Sequence, residues 1–442
     1  MENEIKMQVA VIGAGPAGIF AAEALSSKGY GVALFNRDIK PGGLAEYGIF
    51  PDKHKLKNGL RTQFRSILNS DKISYYGNIH IGVGRCIELH DLFQWGFEAV
   101  LVTCGAQGVK SLHIPGETLE GVINAKDLVY YYNQLPPFSL NVYRFGRKAA
   151  IVGAGNVMAD ITHFLLKYTR VEEITVIIRR GPAEVKFEKK EMEPIISYLD
   201  LQAFDEEIQR VSGEMVKMGQ DPQKAKEAIL AALPKAYPME RNAKILFHFL
   251  ASPKQIIGEK KVSGIEIEKN ELVVKNGETS ATGTGRLERL DVDNVIFAIG
   301  DRVLDELGLP MNHDDICKAK TPLFEVDGNS FEVEDPATGK NLPGIFIAGW
   351  SRRPSTGLVG IARKDGVNAS EAVDRYLVQK ESGNGISKTN LEQKLNEINC
   401  QIVKKEHLLA LELEEKIQAE KKGQEEFKYS TNKEMLKVIG LK

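Results

Sequence analysis

Cysteine is scarce in this chain of 442 residues. The four cysteines are Cys86, Cys104, Cys317 and Cys400, and no two of them form a C-x-x-C pair. This spacing argues against a thioredoxin-type dithiol and provides no ligand pattern for zinc or an iron–sulfur cluster. A disulfide framework is equally disfavoured, which fits a reducing compartment.

Long hydrophobic runs and a strong net charge are also missing. No apolar stretch approaches the ~18 residues of a membrane-spanning helix. The formal net charge is -2, so no global basic field indicates nucleic acid or an acidic membrane as a partner. The first predicted strand follows MENEIKMQ directly, so we expect no signal or transit peptide. These features favour a cytoplasmic protein.

Two glycine-rich segments dominate what is present, VAVIGAGPAG at residues 9–18 and AAIVGAGNVMAD at residues 149–160. Each follows a short apolar run and precedes a helical pattern, which is the strand–loop–helix context of a dinucleotide fingerprint. Two such units predict two dinucleotides in one molecule. That arrangement is typical of a flavoprotein that passes hydride between a nicotinamide and FAD.

The first loop is predicted to bind FAD. Gly13 permits the tight turn after the strand, Gly15 leaves space for the pyrophosphate, and Gly18 lets the helix approach the sheet. Pro16 is tolerated at the helix start, where its missing N–H has no partner to lose. The helix N-terminus then offers free N–H groups and a positive dipole end to the phosphates.

Two further segments belong to this predicted FAD site. Asn36 ends the next strand, where an acid usually bonds the ribose hydroxyls, so its amide offers a hydrogen bond without charge assistance. The turn PGGLAEYGI at residues 41–49 has the small residues that a flat flavin edge needs.

The second loop is predicted to bind NADP(H). Met158 stands where the third glycine would be, which affects the packing of the helix more than the phosphate contact. Arg179 and Arg180 follow the next strand, where the adenosine 2′ position would lie. Because a guanidinium pairs bidentately with phosphate, the two arginines favour NADP(H) over NAD(H).

The fold class predicted from these units is α/β, with two Rossmann-like dinucleotide-binding domains of the three-layer ββα type. The FAD-binding domain is expected to be discontinuous, with residues 1–106 and 341–442, and the NADP-binding domain to be inserted at residues 107–340. A polar helical insertion is expected at about residues 205–240. The Glu- and Lys-rich tail after Gly383 is expected to form solvated helices that pack on or cap the core.

The chain resembles the adrenodoxin reductase type of ferredoxin–NADP reductase, within the wider glutathione-reductase-like flavoproteins. The matching segments are GAGPAG, PGGLAEYGI, LHIPGE, GAGNVMAD, RRGPAEVKFEKKE, AGWSRRPSTGLVG and EEKIQAEKKGQEEFKYSTNKEML. The segment with Gly349-Trp350 is the most specific, because most relatives have Gly-Asp there. The resemblance covers nearly the whole chain.

The fingerprints and the resemblance together give the predicted cofactor sites. The FAD contacts are Gly13, Gly15, Pro16 and Gly18 from the fingerprint and, as the resemblance implies, Ala17, Asn36, Gly43, Leu44, Ile81, Gly349, Trp350, Gly357, Leu358 and Val359. The NADP(H) contacts are Gly153 from the fingerprint and, as the resemblance implies, Gly155, Asn156, Val157, Arg179, Arg180, Glu191 and Gly357.

The resemblance implies electron transfer from NADPH through FAD to a ferredoxin-type one-electron carrier, or the reverse. The family's Pro-Asp-His beside the flavin reads Pro51-Asp52-Lys53 here, followed by His54, so no catalytic residue and no metal are assigned. Because ferredoxins are usually acidic, a basic surface is expected to dock the partner. The candidates are Arg352, Arg353, Lys186, Lys189 and Lys190.

Three alternatives stay open at this point. An electron-input subunit resembling the small chain of glutamate synthase shares both nucleotide domains, but this chain lacks its cysteine-rich module. A flavin monooxygenase would need a further signature between the loops. A non-catalytic FAD-binding sensor is kept open by Asn36, Met158 and Lys53. The acceptor, the direction of electron flow and the oligomeric state are not determined.

Overall fold

The computed structural model describes residues 6–275, 277–380, 385–398 and 400–441. The strands are β1 (Lys6–Ile12), β2 (Gly31–Phe35), β3 (Ile73–Tyr76), β4 (Ala99–Val102), β5 (Gly108–Val109), β6 (Val122–Asn124), β7 (Lys148–Val152), β8 (Glu173–Ile178), β9 (Lys244–Phe249), β10 (Ala251–Gly258), β11 (Val262–Lys275), β12 (Glu278–Leu290), β13 (Asn294–Phe297), β14 (Asp301–Arg302), β15 (Met311–Asn312), β16 (Asp315–Ile316), β17 (Glu332–Asp335), β18 (Lys340–Ile347) and β19 (Ile386–Ser387). The helices are α1 (Pro16–Ser27), α2 (Leu44–Tyr47), α3 (His54–Leu68), α4 (Leu89–Trp95), α5 (Ala125–Tyr132), α6 (Asn156–Tyr168), α7 (Lys189–Met192), α8 (Leu201–Lys217), α9 (Pro222–Leu230), α10 (Val359–Gln379), α11 (Lys388–Glu397), α12 (Lys405–Lys422) and α13 (Asn432–Val438).

The chain divides into two compact units. The first unit holds the residues up to Val109, the segment Tyr130–Leu140 and the residues from Gly300 onward. The second unit holds Lys110–Val129 and Asn141–Ile299. The first unit is therefore discontinuous, as the sequence predicts.

The first unit is built on a sheet in the order β17-β18-β4-β1-β2-β3, with β19 also paired to β1. Strand β1 runs parallel to both β2 and β4, and β4 runs parallel to β18. Along β1 the side chains alternate between two cores, because successive residues of a strand point to opposite faces. Val9 and Val11 join the core that also contains Phe20 of α1 and Val373 of α10, whereas Ile12 joins the core on the other face.

The second unit has a parallel five-stranded sheet in the order β6-β13-β7-β8-β9. The antiparallel sheet β10-β11-β12 covers one face, where Ile265 and Ile267 pack in one core with Ala150 and Val152. Ala149 and Ile151 of β7 point to the opposite face and are also fully buried. The two sheets and the helices that accompany β7 and β8 confirm the predicted ββα type of α/β fold.

The unit boundaries differ from the predicted domain boundaries at two places. Residues 300–340 belong to the first unit instead of the second, because Val303, Leu309 and Ile316 pack in a core with Ile12. The segment Tyr130–Leu140 also belongs to the first unit. The assignment of each cofactor to its stretch of chain stays a prediction.

The predicted helical insertion and tail are largely helical. The helices α8 and α9 lie in the second unit, and Phe204 of α8 packs against Phe247 and Phe249 of β9. In the tail, Leu408 and Leu411 of α12 are buried in the core of the first unit. Among the described helices, none combines the length and the apolar character that a bilayer-spanning segment needs.

Candidate functional site

The turn from β1 into α1 has a conformation that only glycine adopts easily. Gly13 has φ +110°, and a Cβ atom there would lie 2.6 Å from the carbonyl carbon of Thr103. The Gly13 N–H donates to the Phe35 carbonyl at 2.7 Å, and the Thr103 hydroxyl donates to the Gly13 carbonyl at 2.7 Å. The neighbouring parallel strands therefore fix this turn, and Thr103 is a contributor that the fingerprint did not reveal.

The other two glycines of this loop have different roles. A Cβ at Gly18 would lie 2.0 Å from the Gly13 carbonyl oxygen, so α1 packs too closely for any side chain there. At Gly15, in contrast, a Cβ would meet no atom within 4 Å. Gly15 is the N-cap of α1 and no side chain caps this helix. The N-terminus of α1 thus presents backbone N–H groups to open space, which suits a pyrophosphate.

Asn36 is buried and uses its amide within the protein. Its Oδ1 accepts from the Ala14 N–H at 3.1 Å. Its Nδ2 donates to the carbonyl oxygens of Asp38 at 2.9 Å and Lys40 at 3.0 Å. These bonds tie the end of β2 to the glycine loop. The predicted contact of Asn36 with the adenosine ribose stays a prediction.

The turn that begins at Pro41 lies directly against the glycine loop. The Gly42 N–H donates to the Ala14 carbonyl at 2.6 Å. Gly43 has φ +50°, and a Cβ there would lie 3.1 Å from the Cα atom of Gly15. Leu44 begins α2 and packs with the small apolar cluster around Tyr47. The structure thus brings the predicted residues 13–18 and 42–44 together.

The Gly349-Trp350 turn meets the same helix end. Gly349 has φ +65°, and a Cβ there would lie 2.7 Å from the Cβ of Ala17. The Trp350 indole N–H donates to the Thr356 carbonyl at 3.1 Å. Ile81 is buried in the core against which Trp350 also packs. The Gly349 turn therefore joins the residues grouped around α1.

The N-terminus of α10 carries the last group of predicted flavin contacts. Gly357 has φ +74°, Leu358 is the N-cap and is 57% exposed, and Val359 begins the helix. No side chain caps α10 either. A second set of backbone N–H groups is therefore available to negative charge in the first unit.

The ion pair between Arg352 and Asp365 holds the Gly349 turn in place. The Arg352 guanidinium bonds both carboxylate oxygens of Asp365, and the Asp365 Oδ2 also accepts from the Gly349 N–H at 2.7 Å. The guanidinium lies 4.5 Å from the centre of the Phe331 ring, and Arg352 is only 3% exposed. The prediction that Arg352 belongs to a docking surface is therefore wrong, because burial and pairing with Asp365 hide its charge.

The second glycine loop repeats the geometry of the first. Gly153 has φ +123°, its N–H donates to the Ile177 carbonyl at 3.0 Å, and a Cβ would lie 2.3 Å from the Ala298 carbonyl oxygen. Gly155 is the uncapped N-cap of α6, and a Cβ there would meet no atom within 4 Å. Met158 is fully buried, so α6 leaves room for a side chain where α1 requires Gly18.

The basic segment after β8 returns to this second loop. The Lys186 N–H donates to the Ala154 carbonyl at 2.9 Å, and the Glu188 N–H donates to the Asn156 Oδ1 at 2.7 Å. Arg179 is exposed and Arg180 is half-buried at the carboxyl end of β8. The arginine pair thus begins a segment that ends on the N-terminal turn of α6.

The remaining predicted NADP(H) contacts lie in three places. Val157 is 41% exposed on the first turn of α6. Glu191 is half-buried in the short helix α7. Gly357 belongs to the first unit, so the second unit alone does not contain the whole predicted set.

The histidine that follows Pro51-Asp52-Lys53 is held by the tail. His54 begins α3, and its Nε2 lies 3.2 Å from a carboxylate oxygen of Glu425. Within the described ranges, no three His, Cys, Asp or Glu side chains are arranged to hold a metal ion. The cysteines are free thiols, and burial together with the nearby Cys86 thiol raises the pKa of Cys400.

The fold and the paired loops define the two-dinucleotide-binding α/β class of oxidoreductases. The chain belongs to the pyridine nucleotide-disulphide oxidoreductase family, whose model matches residues 7–232.

Three similar proteins span most of the chain. The NADPH-ferredoxin reductase FprA of Mycobacterium leprae (strain TN) is 28% identical over 466 residues, covering 97% of this chain and 98% of that protein. The mitochondrial NADPH:adrenodoxin oxidoreductase of Arabidopsis thaliana is 27% identical over 391 residues, covering 80% of this chain and 78% of that protein. The solved structure of Mycobacterium tuberculosis FprA in complex with NADPH matches with a TM-score of 0.81 at 23% identity, covering 98% of this chain and 99% of that one. This structural similarity confirms the fold.

The Arg352–Asp365 pair gives a test of how the Gly349 turn is held. Arg352→Met leaves a largely buried carboxylate without its cation, so we expect the free energy of unfolding to fall by about 3 kcal/mol. The exposed neighbour Arg353 provides the control, since Arg353→Met should change the free energy of unfolding by less than about 0.5 kcal/mol. Scanning calorimetry of both variants measures the difference. Similar losses in both variants would contradict the proposed support of the turn.

Proposed function

We propose that this protein is an NADPH-dependent flavoprotein reductase that passes electrons from NADPH through FAD to a ferredoxin-type one-electron carrier, or in reverse. The observation that carries this proposal is the pair of uncapped helix N-termini at Gly15 and Gly155, each facing open space after a glycine turn. Two such sites suit two pyrophosphates. The arginine pair beside only the second distinguishes the two dinucleotides.

The names of the relatives support the same activity. The relative from Mycobacterium leprae matches over nearly its whole length and is named an NADPH-ferredoxin reductase. The Arabidopsis relative is named an NADPH:adrenodoxin oxidoreductase. The two names give NADPH together with ferredoxin or adrenodoxin as the reaction partners.

The residues of the first unit fit FAD. The N–H groups of α1 at Gly15 would bind its pyrophosphate, while Gly13 and Gly18 keep the loop close to the sheet. The turn at Gly42-Gly43 and the Gly349 turn would flank the flavin with backbone instead of side chains. The uncapped N-terminus of α10 would favour negative charge on the ring system. When bound, FAD accepts the two electrons of NADPH and delivers them one at a time.

The second unit would hold NADP(H). The α6 N-terminus at Gly155 would bind the pyrophosphate, and Arg179 and Arg180 would pair with the 2′-phosphate. We assign the first unit to FAD and the second to NADP(H), so residues 300–340 go with the FAD-binding part.

The basic residues that would dock the carrier are a further part of the proposal. With Arg352 excluded by its burial, the remaining candidates are exposed on each unit separately, Arg353 on the first unit and Lys186, Lys189 and Lys190 on the second. Such charges mainly increase the rate of encounter with an acidic partner. The free thiols favour a cytoplasmic location, since they suit a reducing compartment.

The arginine pair makes the cofactor preference testable. In the Arg179→Ala/Arg180→Ala variant we expect the KM for NADPH to rise at least about tenfold, because charge-assisted bonds to the 2′-phosphate are lost. The KM for NADH should change less than about twofold, since NADH lacks that phosphate. Arg170→Ala is the matched control, because Arg170 is exposed but precedes β8 instead of following it. Equal losses for both nucleotides would contradict the assignment.

The reaction itself is tested with purified holoprotein. NADPH should rapidly bleach the visible flavin absorbance, which a non-catalytic sensor would not show. Reduction of cytochrome c by NADPH should then increase strongly when a ferredoxin is added. If bleaching occurs but ferredoxin does not raise the rate, the carrier is wrong and the flavoenzyme stands. If NADPH does not bleach the flavin, the proposed function fails.

A further inference from the structure

Seven charged side chains meet in the first unit around α2. This buried charge cluster consists of Lys40, Glu46, Lys57, Arg61, Glu415, Glu426 and Lys428. Glu46 is 3% exposed and lies in α2, which follows the Gly42-Gly43 turn. Glu426 and Lys428 come from the tail between α12 and α13. The resemblance gave this tail no role.

The ammonium group of Lys428 makes several contacts. Its Nζ lies 3.0 Å from the Glu46 Oε1 and donates to the Glu46 carbonyl at 2.9 Å. It also donates to the Asn133 carbonyl at 3.3 Å and lies 4.7 Å from the centre of the Tyr47 ring. Its side chain is only 5% exposed. Lys428 therefore bridges the backbone of α2 and the segment at Asn133, although it follows Glu46 by 382 positions.

The other cations of the cluster do not duplicate this bridge. Arg61 bonds both carboxylate oxygens of Glu46 at 2.6 Å, and the Lys40 Nζ lies 3.3 Å from its Oε1. These two groups neutralise the Glu46 carboxylate, but Lys428 donates the hydrogen bonds to the backbone carbonyls of Glu46 and Asn133. A buried carbonyl that loses its donor is costly, so the bridge matters beyond its charge.

The tail is itself held in place by α3. The Glu426 Oε2 lies 3.0 Å from the Lys57 Nζ, and Glu426 also bonds Arg61. Burial alone would raise the pKa of Glu426, but Lys428, Lys57 and Arg61 outweigh burial and lower this pKa to about 2. Glu426 is therefore charged at neutral pH and fixes the segment that carries Lys428.

The bridge bears on the cofactor site because α2 is continuous with the Gly42-Gly43 turn. The N–H groups of Ala45 and Glu46 donate to the carbonyls of Gly42 and Gly43 at 2.9 and 3.0 Å. Gly42 in turn bonds Ala14 of the glycine loop. A displacement of α2 would therefore move the turn that closes on Gly15.

We propose that Lys428 is a positioning residue for the FAD site, acting through the backbone of α2 to hold the Gly42-Gly43 turn against the first glycine loop. This inference rests on the proposed function, since it takes FAD as the ligand of that loop. It makes the C-terminal tail part of the cofactor site, although no residue of the tail need touch FAD.

The experiment measures FAD affinity and thermal stability separately. Apoprotein is titrated with FAD, following the quenching of flavin fluorescence, in the wild type, Lys428→Met and Lys433→Met. Lys433 is an exposed lysine of the same tail and is the matched control. We expect Lys428→Met to raise the Kd for FAD about tenfold, because the variant lacks one hydrogen-bonded buried charge. Lys433→Met should leave the Kd within about twofold.

A second, milder variant keeps the inference testable if Lys428→Met does not fold. The amide of Lys428→Gln still donates to carbonyl oxygens but carries no charge, so we expect a smaller rise in the Kd than for Lys428→Met. The KM for NADPH in FAD-saturated protein should be unchanged in both variants.

The outcomes separate this inference from the proposed function. If either folded Lys428 variant melts at a lower temperature but binds FAD as tightly as the wild type, Lys428 is only a structural residue and the inference is overturned. If the wild-type apoprotein itself binds no FAD, the proposed function fails and the inference fails with it. A raised Kd together with an unchanged NADPH KM supports both.

Discussion

The proposed function depends on unpaired backbone N–H groups at helix N-termini. The first turn of a helix cannot satisfy its own donors, and at α1 and α6 no side chain does so either. Both helices begin where a glycine leaves open space, at Gly15 and Gly155. Donors aimed at open space are a suitable site for an anion.

The segments around Gly15 are connected to one another by polar side chains. Thr103 closes the turn at Gly13, the Asn36 amide holds Ala14, and the Arg352–Asp365 pair holds the Gly349 turn. The buried charge cluster contacts Glu46 of α2, the helix that follows the Gly42-Gly43 turn. Polar groups that a sequence reader would place on the surface are thus buried near the predicted FAD site.

The sequence predicted local structure well wherever a short-range rule decides it. Both glycine loops join a strand to a helix as their spacing requires. The effect of Met158 was less evident, since only the packed structure shows that α6 leaves room for a buried side chain. Local patterns predict these elements because the apolar run and the glycines that mark each loop are close together in the sequence.

The sequence did not predict contacts between distant parts of the chain. The sequence predicts Arg352 as a surface cation, since its partner Asp365 is thirteen residues away on a helix and no local pattern indicates the pair. The tail packs on the core as predicted, but the contact of Lys428 with Glu46 spans 382 positions and no local pattern predicts it. Residues 300–340 joined the first unit through apolar packing that periodicity does not reveal.

The most direct measurement compares Gly15→Ala with Gly155→Ala by calorimetric titration with FAD and with NADP(H). Because a Cβ meets no protein atom at either position, both variants should fold like the wild type. Gly15→Ala should lose affinity for FAD, and Gly155→Ala should lose affinity for NADP(H) while keeping FAD. Two well-folded variants that bind both dinucleotides as tightly as the wild type would contradict the account.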